Sequence, residues 1–175
     1  RLFEVTGVQT CALPISVGRI TEPWIAEELI ANGKADICMI GRANLCYPEF
    51  ANKVAAEKAD DIRPCIGCLR CLNGIMFGKR VACTVNPSFE LENEDTLAPA
   101  PEKKNVLVIG SGPAGMEAAF VAAKRGHHVV LCEKDAELGG LMRIAAVPIA
   151  KQDLTRLIQY MADRKSTRLN SSHLE

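Results

Sequence analysis

VLVIGSGPAGMEAA, residues 106–119, is the stretch on which the fold of this chain turns. Val106 to Ile109 reads as a buried parallel strand. Gly110 makes the turn, Gly112 lets the backbone meet a pyrophosphate, and Gly115 lets the following helix pack close to the strand. That helix, from about Pro113 to Arg125, turns its positive N-terminal end toward the same anion. A lone Gly-x-Gly-x-x-Gly is a weak signal. Here it is joined by a second strand, His128 to Cys132, which ends at Glu133, 21 residues after Gly112. A carboxylate at that place can accept hydrogen bonds from ribose hydroxyls. Strand, helix, strand and acid together predict the first half of a Rossmann-like FAD/NAD(P)-binding domain over 105–162. The acid repels a 2'-phosphate, so the site is expected to take an FAD or ADP moiety rather than NADPH. His127 and His128 have no ligand-type neighbours in sequence and read as strand-edge residues.

Working toward the N-terminus, residues 88–104 are acidic, then rich in Ala and Pro, then basic, with little apolar periodicity. They read as a linker. Before them lies IRPCIGCLRCLNGIMFGKRVACTVN, residues 62–86, in which Cys65, Cys68, Cys71 and Cys83 are spaced C-x2-C-x2-C-x11-C. Three thiols crowded on one loop with a fourth returning from a neighbouring turn suit a compact iron-sulfur core. Pro64, Gly67, Gly74 and Gly78 suit an irregular loop whose N–H groups can point at sulfurs. Structural zinc also takes four cysteines, usually as two separated C-x-x-C pairs, and stays the competing reading together with unligated thiols. Cys38, Cys46 and Cys132 lack such spacing and read as small buried core residues.

Residues 17–61 alternate in the manner of a parallel sheet or barrel. A strand remnant before Gly18 leads to Thr21 as N-cap and to a helix in TEPWIAEELIANG that stops near Gly33. A short buried strand at 36–40 ends at Gly41-Arg42, and a second helix is expected across about 48–58. Functional loops of such arrays follow the carboxyl ends of strands. Gly18-Arg19 and Gly41-Arg42 both fall there. Such a pair can cradle a phosphate, glycine by backbone approach and arginine by its charged fork, or can be a plain turn glycine with a solvated arginine.

The two ends of the chain are related in an unusual way. DRKSTRLNSSH, residues 163–173, can be written in codons whose reverse complement translates to VTGVQTCALPI, residues 5–15. Opposite-strand coding of this kind resembles a sequencing adapter read through at both ends of an insert, so 1–16 and 163–175 are set apart from the fold. Lys plus Arg and Asp plus Glu both number 21 in the whole chain, with no long run of either sign. That balance excludes an electrostatic nucleic-acid or anionic-membrane binder. No apolar run approaches the 20 or so residues of a membrane span. Of the eight cysteines, Cys11 lies in the adapter-like end, and the odd remainder with one tight cluster points to metal ligation in a reducing cytoplasm rather than to a disulfide scaffold.

VGRITEPWIAEELIANGKADICMIGRANL (17–45), RPCIGCLRC (63–71) with CTVNP (83–87), VLVIGSGPAGMEAA, EKDAELGG (133–140) and AAVPIAKQDL (145–154) occur in one order. In that order they resemble the clostridial-type enoate reductases and 2,4-dienoyl-CoA reductases of the NADH:flavin oxidoreductase family. That family joins an Old Yellow Enzyme-like barrel to 4Fe-4S and FAD domains. It is similar in build to trimethylamine dehydrogenase and to the bile-acid-inducible flavin oxidoreductases. The resemblance implies an α/β chain made of the C-terminal end of a TIM barrel (17–61), an iron-sulfur loop (62–87), the linker, and the first half of a Rossmann-like FAD domain. It implies FMN phosphate near Gly18, Arg19, Gly41 and Arg42, and a 4Fe-4S cluster on Cys65, Cys68, Cys71 and Cys83. FAD, or ADP in the amine dehydrogenase branch, would lie against Gly110, Gly112, Gly115, Glu133 and Gly140.

In the family scheme NAD(P)H reduces FAD, the cluster passes single electrons, and FMN reduces the activated double bond of an unsaturated acid or acyl-CoA. No nucleic acid or membrane partner is implied, a homo-oligomer is compatible, and the location is cytoplasmic. The proton donor lies outside the matched segments, so no catalytic residue is named and the chain by itself is expected to be inactive. An amine dehydrogenase running electrons outward from FMN is the second enzyme reading. A glutamate synthase small subunit is a third, against which the barrel-like residues 17–58 count. A non-catalytic four-cysteine zinc module or an inactive truncated chain is the reading of another class.

Overall fold

A computed structural model describes residues 13–91 and 97–168 of the chain. The chain divides into two compact units, residues 1–83 and 84–175, and both are mixed α/β. Parts of the readings for the two ends and the linker, at residues 1–12, 92–96 and 169–175, lie outside the described residues.

In the first unit, β1 (Ile15–Val17) and β2 (Ile37–Met39) form a parallel pair with Val17 opposite Met39. The crossover between them is α1 (Pro23–Ala31). Its N-cap is Glu22 rather than the expected Thr21, because Pro23 takes the first helical position, where its fixed φ and missing N–H cost nothing. The helix expected across 48–58 is shorter, residues 50–55, and an unexpected short helix precedes it. α2 (Arg42–Cys46) starts directly after Gly41, and α3 (Phe50–Ala55) follows a break at Tyr47-Pro48, where the residue before proline is held extended with φ −147° and ψ 94°. Ala43, Phe50 and Ile62 form the buried core of this unit, with Ile40 and Tyr47 against them.

The cysteine segment is less irregular than expected. Gly67 and Leu69 take left-handed conformations, φ 62° at both, and the chain then enters α4 (Arg70–Met76). Gly74, expected in a loop, lies buried in this helix. A Cβ there would come within 2.9 Å of the Arg80 carbonyl oxygen and 3.0 Å of Val81 Cα. The missing side chain is what lets residues 80–81 pass back over α4 on their way to Cys83.

The second unit is built on β3 (Asn105–Ile109) and β4 (His128–Cys132), parallel and in register from Asn105 opposite His128 to Ile109 opposite Cys132. α5 (Pro113–Lys124) makes the crossover. α6 (Leu141–Ala145) and α7 (Asp153–Arg168) follow. Met116 and Ala119 of α5 pack with Leu131, and Val108, Val129, Leu138 and Met161 close over them. The strands are not buried on both faces as a parallel strand is expected to be. Leu107, Ile109 and Val130 are 62%, 83% and 48% exposed, because the packed helices occupy only the Val108 and Val129 side among the described residues. Beyond 162, α7 continues, and Arg164 ion-pairs with Glu117 at 3.3 Å and stacks 3.3 Å over the Phe120 ring. Among the described residues no helix is long and apolar enough to cross a membrane.

Candidate functional site

In the second unit the carboxyl ends of β3 and β4 open into a cleft of about 1460 Å³. Gly110, Gly112, Glu133 and Gly140, all singled out by the sequence, line it, together with Arg143 and the apolar side chains of Leu141 and Ile144. That space exceeds the roughly 300–1,000 Å³ of a typical small-ligand pocket and suits a long ligand. Gly112, which lines the cleft, is the N-cap of α5, so this 12-residue helix, whose first-turn N–H groups have no intrahelical partners, starts at the cleft.

Gly115 does not line the cleft; it sets its floor. A Cβ on Gly115 would overlap the Gly110 carbonyl oxygen and stand 3.1 Å from the carbonyl carbon. The helix can approach the strand turn this closely only with hydrogen at that position. Gly140 is a second close approach, since a Cβ there would lie 3.3 Å from Gly112 Cα.

Glu133 is the most firmly held polar group of the cleft. Its Oε2 accepts from the Ser111 N–H at 2.7 Å and from Ser111 Oγ at 2.6 Å, and its Oε1 from the N–H groups of Lys134 at 2.9 Å and Asp135 at 3.2 Å. These donors, Ser111 first, bring its carboxyl from the ordinary 4.5 down to about 2. Glu133 is therefore a fixed negative charge at neutral pH.

Ser111, the x of the first Gly-x-Gly, was not singled out from sequence and proves to be the organiser. It is fully buried, and besides holding Glu133 its carbonyl and Oγ accept from the Gly139 N–H at 3.0 and 3.3 Å. One serine thus joins the turn after β3, the end of β4 and the glycine pair before α6. Only the small polar side chain at an x position hinted at this. His127 and His128 have the strand-edge role expected, with Lys104 N–H donating to His127 Nδ1 at 3.2 Å.

A depressed carboxyl pKa makes the stability of this unit pH-dependent. The folded value lies below the unfolded one, so the contribution is complete above about pH 4.5 and disappears as pH falls toward 2. Glu133→Gln is expected to flatten the loss of Tm in that window and leave its slope elsewhere unchanged. Equal slopes for the two proteins in thermal melts between pH 4.5 and 2 would contradict this account.

In the first unit the structure gathers thiols. Cys65 is half-buried and Cys68 exposed, Cys71 is the second residue of α4, and Cys83 is half-buried. Burial pushes the Cys65 thiol up, while a hydrogen bond from the Gly67 N–H and the nearby Arg42 charge act against it, and the neighbouring Cys83 and Cys68 add to the rise. Among the described residues no three His, Cys, Asp or Glu side chains are close enough to hold a single metal ion.

Cys46 is the cysteine that spacing did not reveal. It is 1% exposed, as expected of a core residue, yet it shares a side-chain hydrogen bond with Cys83. That hydrogen bond first, and burial after it, hold its thiol far above the usual range. Cys38 is half-buried, and Cys132 lines the cleft at the strand ends instead of being closed in the core. The two Gly-Arg pairs follow the carboxyl ends of paired parallel strands, as read. Gly18 and Arg19 both have left-handed backbone, φ 108° and 49°, and Gly41-Arg42 opens α2. Arg42 also faces the cysteines, close enough to Cys65 to favour its thiolate.

Residues 105–171 match the family model described as FAD dependent oxidoreductase. Bilirubin reductase of Mediterraneibacter gnavus (strain CC55_001C) is 43% identical over 157 residues, covering 89% of this chain and 24% of that protein. Cinnamate reductase of Clostridium sporogenes (strain ATCC 7955 / DSM 767 / NBRC 16411 / NCIMB 8053 / NCTC 8594 / PA 3679) is 40% identical over 147 residues, 83% of this chain and 22% of that one. Among solved structures, a 2-naphthoyl-CoA reductase in complex with 2-naphthoyl-CoA superposes with a TM-score of 0.85 at 30% identity, over 97% of this chain and 27% of its own. The chain spans about a quarter of the length of these curated relatives. Over that quarter it belongs to the FAD-dependent flavin oxidoreductases, in the group that contains these reductases.

Proposed function

We propose that this chain is the electron-transfer part of a longer flavin oxidoreductase that uses NAD(P)H to reduce the activated carbon–carbon double bond of an unsaturated acid or acyl-CoA. The observation that carries the reading is Glu133, locked by four hydrogen bonds at the mouth of a glycine-lined cleft. A negative charge fixed in this way repels a 2'-phosphate, which favours FAD or ADP there. Gly110, Gly112, Gly115 and Gly140 then leave room for the pyrophosphate beside the N-terminus of α5.

In the first unit, residues 17–61 read as the last part of an FMN-holding TIM barrel, with Gly18, Arg19, Gly41 and Arg42 toward the phosphate. Residues 62–87 read as the cluster segment, 88–104 as the linker and 105–162 as the partial FAD domain. Cys65, Cys68, Cys71 and Cys83 fit a four-iron core. The Gly67 N–H already aimed at Cys65 sulfur is the kind of donor that stabilises a ligating thiolate. When bound, the iron-sulfur core supplies one-electron steps and the flavins supply hydride chemistry. The protein's own part is to hold the thiolates, to place the Arg42 charge beside them, and to orient the nucleotides.

Cinnamate and 2-naphthoyl-CoA, named with two relatives, are an unsaturated acid and an acyl thioester. They support a substrate of that class, and the amine dehydrogenase alternative is not favoured. The full-length protein, purified anaerobically and denatured, should release FMN and FAD in equal amounts, and before denaturation it should oxidise NADH or NADPH when given cinnamate. ADP in place of FAD, together with oxidation of an amine, would move the assignment to the amine dehydrogenases. A single nucleotide per chain would overturn the two-flavin reading.

A further inference from the structure

We propose, resting on the nucleotide reading of the cleft above, that Arg143 binds the diphosphate of the dinucleotide, and that Glu137 is the counter-ion this diphosphate displaces. Arg143 lies on α6 and lines the cleft at the strand ends together with Gly110, Gly112 and Gly140. Its backbone N–H donates to the Gly140 carbonyl oxygen at 3.2 Å, and a Cβ on Gly140 would stand 3.3 Å from the Cα of Gly112, the N-cap of α5. A single turn of chain therefore separates Arg143 from the glycine at which α5 begins. Its stem runs across Gly139, where a Cβ would come within 3.0 Å of Arg143 Cγ. Gly139 is fixed in turn by Ser111, whose carbonyl and Oγ both accept its N–H. The base of the arginine is thus tied to the turn after β3, and the guanidinium is the part that can change partners.

Arg143 Nη2 stands 2.6 Å from Glu137 Oε2, and Nη1 makes a long 3.5 Å contact with the Glu137 carbonyl oxygen. Both residues line the cleft, with the arginine side chain 38% and the glutamate 71% exposed. An ion pair so open to water adds little to stability, because solvent screens it and two long side chains must be ordered to make it. Charge in the cleft gives it another use. Three carboxylates, Glu133, Asp135 and Glu137, line the cleft against two cations, Lys134 and Arg143. A diphosphate entering beside Gly112 meets that excess of like charge unless a cation turns toward it. Arginine suits the task, since its planar fork can give two N–H groups to phosphate oxygens and its weakly hydrated charge is easily drawn from a solvated partner. The exchange makes and breaks no covalent bond: the guanidinium passes from the Glu137 carboxylate to the phosphate oxygens, and that exposed carboxylate returns to water.

The test uses the full-length protein stripped of flavin, as wild type and as the variants Arg143→Ala, Arg143→Lys and Glu137→Gln. ADP is the probe, since it carries the diphosphate without a flavin ring that could bind elsewhere. Its Kd by calorimetry and the melting temperature without ADP are the readouts. Arg143→Ala should bind ADP about tenfold more weakly, the effect of losing a charge-assisted hydrogen bond, and should melt like wild type because the lost ion pair is exposed. Arg143→Lys keeps the charge without the fork and should fall between the two. Glu137→Gln releases the arginine and removes a like charge, so it should bind ADP about two- to threefold more tightly. A purely structural ion pair would make Arg143→Ala and Glu137→Gln behave alike, and that result overturns the proposal, as does an alanine variant with wild-type affinity. If the alanine variant does not fold, the other two decide: weaker binding by Arg143→Lys with tighter binding by Glu137→Gln supports the role, and any other pair of results overturns it. A wild-type protein that does not bind ADP overturns the nucleotide reading of the cleft and this role with it, whereas the variant outcomes leave that reading standing.

Discussion

Cys68→Ser is expected to leave the full-length protein with less than half of the iron carried by the wild type, which should hold about four irons per chain if four thiolates ligate a cubane. Cys68 is the exposed thiol in the middle of the turn, between the left-handed residues Gly67 and Leu69. A serine there has nearly the same shape, so packing is not at issue. What changes is the ligand, from a soft thiolate to a hard, protonated hydroxyl that binds iron poorly. Cys38→Ser is the matching control. Cys38 sits half-buried in β2 with a long 3.8 Å contact to the Ala26 carbonyl oxygen, and its loss should leave iron unchanged. Iron and sulfide analysis of the anaerobically purified variants decides the matter. Equal iron loss in both, or zinc in place of iron in the wild type, would count against the ligand assignment.

Gly115→Ala should be the most damaging single substitution in the second unit, costing about 3 kcal/mol or more, the upper range for overpacking. The clash is with the backbone of Gly110, which has no rotamer through which to escape. Relief requires α5 to move off β3, and that movement opens the contact of Met116 and Ala119 with Leu131 while it widens the phosphate turn. The protein should therefore lose FAD as well as thermal stability. Gly112→Ala is the informative partner, because a Cβ at Gly112 meets nothing within 4 Å in the protein and would intrude only on a bound pyrophosphate. It should weaken flavin binding with little change in the melting temperature of the flavin-free protein. If Gly115→Ala melted like wild type and retained FAD, the close approach of helix and strand would be of no consequence.

The motifs visible in the sequence were those in which a single residue type meets a local physical demand. A run of apolar residues followed by spaced glycines has few structural solutions, and β3, the turn at Gly110 and α5 occupy the predicted places, with the helix starting at Pro113. Glu133 was found by counting, because a βαβ unit of this size returns its second strand to the first after a nearly fixed length. Other local features were missed. The short helix α2 before Tyr47-Pro48 was not expected, and Gly74 lies in a helix that the glycine content of the segment had concealed.

Tertiary structure decided whatever depends on residues that are distant in the chain. No spacing rule connects Ser111 with Gly139, yet their hydrogen bonds hold the cleft together, because two turns meet only after the sheet has formed. Cys46 illustrates the same division. Its sequence context predicted a small buried thiol, and it is one, but a position within the core does not reveal which neighbours the core supplies. Those neighbours are Cys83 and the carbonyls before Cys65, brought there by the packing of α2 against the cysteine segment. Residue type and spacing therefore determined which chemistry the chain could support, since ligand softness, charge and backbone freedom are properties of single residues. The folded chain alone determined which of those groups support one another, since a hydrogen bond between distant residues exists only once the packing has brought them within about 3 Å or, for sulfur, within about 4 Å.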